Sequence, residues 1–275
     1  MSEGSGDSMA RDDDVGRLLD AARAGDAPSL DELARRAHFS RFHLSRLLKK
    51  HLGFPLREFI AAAKVDRSID GLVTGHSVTR SQTDAGHESP SSFHRAFLRH
   101  TGMSPSAYRR QMRMLATQLM RHQDDPEPLV VLHRKFDPAA HRQPHPLTIR
   151  IEGAGPHSAL FAALHPEQLV KGEPLLGMAL LGTGEYDVTA IPDGTYYAMV
   201  VEIPRATDLR CYFQMDHNRR QLQRVPVTFP LAGPTTVTLH LRDRIPQDPP
   251  ITVNLPRLFF QAVAGQVDVE LGAQQ

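Results

Sequence analysis

Two domains of different class are predicted for this chain: an all-α domain of seven helices holding two helix-turn-helix units, followed by a mainly antiparallel β-sandwich. Three observations predict them. Helical periodicity with paired caps runs from about residue 11 to 122, a ten-residue pattern occurs twice within that stretch, and beyond residue 146 the apolar period falls from about 3.6 to 2. A length of 275 residues also exceeds what one average domain needs.

The helices follow in order. Residues 1–10 are acidic and small, unlike the basic start and apolar core of a signal peptide, and are expected to form a disordered tail. Val15, Leu18, Leu19 and Ala22 then sit at helical spacing, and Gly25 stops the run. Ser29 with Glu32 forms a capping-box pattern over Leu30, Leu33, Ala34 and Ala37. After almost no loop, Ser40 caps a helix with Leu44, Leu47 and Leu48 inward and Gly53 as terminator, so the pair makes a helix-turn-helix. Pro55 opens a longer helix that Gly75 ends. Ser77 caps a short helix, and Ser89-Pro90 starts a basic one that stops at Gly102. Residues 40–49 and 89–98 match position for position, with Leu44 and Phe93 sharing the inward slot and Arg46 and Arg95 the exposed one. A last helix starts at Ser104-Pro105 and closes the domain, taken as residues 11–122.

Residues 123–146 are rich in Pro and Asp and are expected to be a linker. In residues 147–275, Leu147, Ile149 and Ile151 alternate with polar residues, as do Val237, Leu239 and Leu241, and Ile251, Val253 and Leu255. The stretch Ile191-Pro192-Asp193-Gly194-Thr195 is a turn signal leading into a strand over 196–203. Short strands between Pro/Gly turns fit a sandwich or barrel, of which a sandwich is preferred.

Charge points to a function. The net charge is +1, yet residues 1–28 carry about −4, residues 29–122 about +9, and the remainder about −4. A basic block between acidic flanks is the footprint of a segment that meets a polyanion. In a helix-turn-helix the N-terminal half of the second helix reaches base edges. Those positions are Phe42, Ser45 and Arg46 in the first unit and Ser91, His94 and Arg95 in the second. An arginine pairs bidentately with guanine, and a phenyl ring presses on a thymine methyl. For Phe42, burial against the neighbouring helix is the competing reading. Arg41, Lys49, Lys50, Arg99, Arg109 and Arg110 lie where phosphates are the expected partners.

At these residues the sequence resembles the AraC/XylS family of bacterial transcription regulators. The resemblance rests on residues 29–60 and on Ala85-Gly86 through Tyr108-Arg109-Arg110, and extends over about residues 10–122. It implies two helix-turn-helix units on a linking helix, binding asymmetric promoter DNA through the six base-reading positions named above. The chain departs from the family pattern at Ser81 and Gln82, where an apolar residue and an alanine are usual, and at His87, usually Phe. Lys64-Val65 stands where the linking helix usually has Arg-Leu. Many members also place this domain last rather than first.

The resemblance implies that the companion domain senses a small molecule or dimerises. The partners expected are duplex DNA, a small-molecule effector, RNA polymerase and a second copy joined through the C-terminal domain, with no cofactor, no metal and no membrane. No run approaches the roughly 18–20 apolar residues of a membrane span. One cysteine, Cys211, cannot form an internal disulfide, which fits a cytoplasmic protein. No catalytic motif is found in residues 147–275, so no enzyme is expected. Three minor alternatives stay open: a metal gathered by His133, His141 and His145; a reactive thiol at Cys211 beside Arg210; and a ligand pocket lined by residues 194–200. A DNA-associated enzyme or repair protein, or an interaction module with a degenerate second unit, are the rival functions.

Overall fold

The computed structural model describes residues 4–26, 29–169 and 171–265. Its helical region comprises α1 (Gly4–Ala24), α2 (Leu30–Arg36), α3 (Arg41–Leu52), α4 (Leu56–Val73), α5 (Val78–Asp84), α6 (Pro90–Thr101) and α7 (Pro105–Gln123). The expected disordered tail is thus helical from Gly4, and residues 1–3 lie outside the described residues.

The repeat is geometric as well as textual. α2 and α5 have seven residues each, and α3 and α6 twelve each. Ser29, Ser40, Ser77 and Ser89 each accept a backbone N–H three residues on, which satisfies an orphan donor of the first turn. Ser104 does the same for α7. Only half of the expected capping box forms at α2, because the Glu32 carboxylate turns to Arg35 and Arg36 instead of back to Ser29. Both longer helices end on a left-handed glycine, Gly53 at φ 81° and Gly102 at φ 72°. The turn inside each unit also needs a left-handed residue: Gly86 supplies it in the second, and His38, at φ 54°, in the first.

Ser81 and Gln82 are buried even though the family pattern has apolar residues there. The compensation is Gly71 of α4, whose missing side chain lets α5 approach; a Cβ on it would lie 2.7 Å from the Ser81 hydroxyl. His87 takes the usual aromatic slot by packing its ring 4.8 Å from that of Phe93. Burial lowers its pKa to about 4, so it serves there as a neutral aromatic.

The sheet domain contains β1 (Leu129–Arg134), β2 (Arg142–Glu152), β3 (Ala159–His165), β4 (Leu176–Leu181), β5 (Glu185–Ala190), β6 (Gly194–Ile203), β7 (Arg220–Leu222), β8 (Val227–Phe229) and β9 (Thr235–His240), with α8 (Arg210–Phe213) and α9 (Leu255–Val263). A large sheet runs β1-β4-β3-β6-β7 with β8 also on β6, and a small one runs β5-β2-β9. Every strand pair is antiparallel except β2 with β9. The two sheets enclose Leu132, Leu147, Ile149, Leu160, Leu180 and Leu239, the expected sandwich core.

The expected linker over 123–146 is not free chain. It holds β1, a short 3-10 turn and the start of β2, because Val130 and Leu132 of β1 enter the sandwich core while Val131 faces the other way. The predicted strand at 251–255 is likewise corrected: that segment pairs with no strand and runs straight into α9, which its sequence did not announce.

The outer face of the large sheet carries the helical region. Val131, Phe161, Ala179 and Val201 of that face share one apolar cluster with Ile69 of α4, Phe93 and Phe97 of α6, and Tyr108 and Leu115 of α7. The first unit keeps its own core of Leu19, Leu33, Leu44, Leu48 and Phe59, joined from the sheet domain by Leu169.

Candidate nucleic-acid interface

In α3, Leu44, Leu48 and Leu52 are buried, so the opposite face turns outward by helical geometry. Phe42, Ser45 and Arg46 are all exposed on that face. Phe42 is 76% exposed, which rules out burial against the neighbouring helix. In α6, Phe93 and Phe97 are buried, and Ser91, His94 and Arg95 are exposed at matching places. The two units therefore present equivalent faces, near the N-termini of α3 and α6. Sequence reasoning missed one aromatic of the first face: Phe39, in the turn, is 41% exposed and lies 4.8 Å from the His43 ring. A lone aromatic before a Ser cap carries no signal that separates core from surface.

The expected phosphate-binding residues divide. Lys49, Lys50, Arg99, Arg109 and Arg110 are exposed. Arg41 is exposed too, but its guanidinium lies 3.3 Å from Asp31 of α2, an ion pair within the first unit that a phosphate must compete with.

Both α3 and α6 are held by the sheet domain at their C-terminal ends, away from the faces just described. For α3, Arg224 donates to the His51 carbonyl at 2.7 Å, and Gly53 lies against the Gln168 side chain. Next to it, Lys171 pairs with Glu58 of α4 at 2.7 Å. For α6, His100 is fully buried and its Nδ1 lies 2.9 Å from Thr252 Oγ1. Burial pulls its pKa down to about 4, so the imidazole is neutral at neutral pH. The Arg257 guanidinium packs against Gly102, the cap of α6, and pairs with Glu173 at 2.6 Å.

The linking helix α4 is held from its side. The carboxyl of Asp66 is enclosed, with Oδ1 lacking a hydrogen-bond partner. Burial first, and the facing Asp216 carboxylate second, push its pKa up to about 8, against the pull of Arg23 and Arg220. Arg23 of α1 bonds both oxygens of Asp216 at 2.9 and 2.6 Å, and also bonds the Asp248 carbonyl.

The minor alternatives separate differently. Among the described residues, no group of three or more His, Cys, Asp or Glu is placed to hold a metal. Burial raises the Cys211 pKa, and the Asp208 carboxylate adds to that, so the thiol is held protonated rather than activated by Arg210. Of residues 194–200, Tyr196, Ala198 and Val200 are core of the sandwich, while Met199 lines a cleft on the outer face of the large sheet.

A family model described as a helix-turn-helix domain matches residues 33–111. The chain is also 32% identical over 82 residues to the HTH-type transcriptional activator AarP of Providencia stuartii. That match takes in 30% of this chain and 61% of the relative's length. The family-model match falls on the helical region, from α2 into α7. Among the described residues, no helix is long and apolar enough to cross a membrane.

Proposed function

Residues 33–111 are an AraC-type helix-turn-helix domain, and from that premise we propose that the protein is a sequence-specific, DNA-binding transcription regulator. In this reading α3 and α6 enter successive major grooves on one side of a duplex, and the sheet domain controls them. The observation that carries it is the pair of equivalent exposed faces, Phe42-Ser45-Arg46 and Ser91-His94-Arg95, on two helix-turn-helix units of equal dimensions. Arg46 and Arg95 are assigned to base edges, Phe42 to a thymine methyl, and the lysines and arginines further along to phosphates. The 18 residues of α4 give a connector of about 27 Å at 1.5 Å per residue. Successive grooves lie about 34 Å apart, so a connector braced by the sheet domain favours DNA that bends toward the protein.

The relative's name is that of an activator, and contact with RNA polymerase is proposed here on that ground alone. The test is selection of bound sites from random duplexes by the full chain, followed by titration of the selected site with Arg46→Ala, Arg95→Ala and the double variant. Each single change is expected to cost about 1–3 kcal/mol and to relax specificity at one position. A double variant that keeps wild-type affinity and selectivity would refute the assignment.

A further inference from the structure

Between the outer face of the large sheet and α9 lies a small cleft of about 60 Å³ that opens to solvent. Phe161, Met199 and Val201 line it from the sheet, and Ile251, Val253 and Leu258 from the C-terminal side. Its walls are apolar except at His133. The His133 side chain is only 10% exposed, yet neither ring nitrogen makes a hydrogen bond; the nearest charge is the Glu173 carboxylate at 3.7 Å. A buried imidazole without partners gives up hydrogen bonds that water would supply, and a ligand that restores one gains accordingly. Burial lowers its pKa, so at neutral pH the ring offers one donor and one acceptor and no charge. Glu173 is already matched by Arg257 at 2.6 Å and Lys135 at 3.8 Å. The cleft therefore presents no uncompensated charge to a cation or an anion.

One wall of this cleft is shared with a reading helix. In the strap from Ile251 to Leu255, the odd-numbered residues line the cleft, and the even-numbered ones touch the second helix-turn-helix unit. Thr252 bonds His100 of α6, and the Asn254 amide lies 3.3 Å from the sulfur of Met103, just after α6. Both polar residues are 1% exposed, so the strap is buried on its two sides, which is why it alternates without being a strand. Asn254 also caps α9 by accepting from the Arg257 N–H, and the Arg257 guanidinium reaches Gly102 at the end of α6.

We propose that this cleft binds a small, uncharged, mainly apolar molecule with one hydrogen-bonding group directed at His133, and that its occupancy is passed to α6 through the 251–255 strap and Arg257. The second clause rests on the DNA-binding reading above; the first does not. A molecule seated on Ile251, Val253 and Leu255 moves the backbone whose other face holds His100 and Met103.

The full chain is titrated by calorimetry, without DNA, with 1-octanol, octanoate and octylammonium, which share a chain and differ in the charge of the head group. Saturable one-to-one binding of 1-octanol is expected, at least tenfold tighter than either ion. His133→Phe keeps the shape of the wall and should weaken octanol about 5–10-fold, the loss of one buried hydrogen bond. Ala163→Phe and Met199→Trp each fill the cleft from a half-buried position and should abolish binding. The chain has no other tryptophan, so emission from Met199→Trp reports whether the new ring is buried and the variant folded. Failure of wild type to bind octanol, equal binding of the ions, or undiminished binding in a folded blocking variant would each overturn the site. On duplexes selected by the full chain, saturating octanol should shift wild-type affinity at least threefold and leave the blocked variants unmoved; an unshifted wild type overturns the coupling to α6. If no duplex is selected, the DNA-binding reading falls, and the DNA-free titrations still decide the site.

Discussion

Replacing Asp66 with asparagine tests whether the joint between the linking helix and the sheet domain stores a proton. In the native protein the carboxyl is enclosed opposite Asp216, and its pKa is raised to about 8 from 3.8. Between those values the folded state holds a proton that the unfolded chain releases, so stability falls as pH rises. The contribution is complete below about pH 4 and gone above about pH 8. His87 and His100, lowered from 6.5 to about 4, act with the opposite sign: the unfolded chain takes up protons that the native rings refuse, so their share rises with pH up to about 6.5. The window from about pH 6.5 to 8 is therefore where Asp66 dominates over them. Its slope there is about 1.4 kcal/mol per pH unit, which amounts to roughly 2 kcal/mol across the window. Urea unfolding of the full chain at fixed salt, at half-unit pH intervals, measures it. Wild type is expected to lose roughly 2 kcal/mol from pH 6.5 to 8, and Asp66→Asn to stay level within about 0.5 kcal/mol. A wild-type curve that is flat or rising over that window, or a variant that keeps the full slope, would refute the reasoning.

Two further outcomes follow from the repeated unit. His38 holds the left-handed turn position that glycine holds at residue 86, so His38→Gly should stabilise the chain by about 0.5–1 kcal/mol and Gly86→Ala should destabilise it by about 1–2 kcal/mol in thermal melts. A loss of stability in His38→Gly, or no change there, would mean that the two turns are not equivalent. Lys49 is exposed beyond the base-reading positions of α3; Lys49→Ala should weaken all duplexes alike and reduce the slope of log affinity against log salt by about 1. A change confined to one base position would reassign it to base reading.

The helical region was legible because its signals are local. Ser29, Ser40, Ser77 and Ser89 cap where the sequence places them, and Gly53 and Gly102 adopt the left-handed turns that a helix stop requires. The exposure of Phe42 and the five other positions proposed to read bases follows from the same register, since fixing Leu44 and Phe93 inward fixes what faces outward. The sheet domain was less legible for a physical reason. β1, β3 and β4 are buried on both faces, so they read as continuous apolar runs with no period of two. The strap at 251–255 produced the reverse error: real two-sided burial with polar Thr252 and Asn254 turned inward imitates a half-exposed strand. His133 was singled out only as a metal ligand, and of the cleft only residues 194–200 were singled out, because the strands and α9 that enclose it are distant in sequence.

How a sheet domain could govern two reading helices is constrained by the way they are joined. Aromatic rings run without a break from α6 to the sheet domain: Phe93 to Phe97 at 5.5 Å, Phe97 to Tyr108 at 5.3 Å and Tyr108 to Phe213 at 5.5 Å. Pulling the second unit off the sheet would expose Tyr108, Phe213, Phe161 and Phe259, at about 1.5–3 kcal/mol each. That sum, on the order of 10 kcal/mol, rivals the whole stability of an ordinary domain. Domain separation is therefore too costly for a regulatory step that a small molecule can drive with a few kcal/mol of differential binding. The first unit is held with less apolar contact, through Leu169, and by polar ties: the Arg224–His51 contact, the Lys171–Glu58 pair and, from α1, the Arg23–Asp216 and Asp20–Arg244 pairs. A change in the angle between the two units costs only the rearrangement of such contacts. In the proposed mode, where two grooves are met at once, that angle is what DNA affinity depends on most.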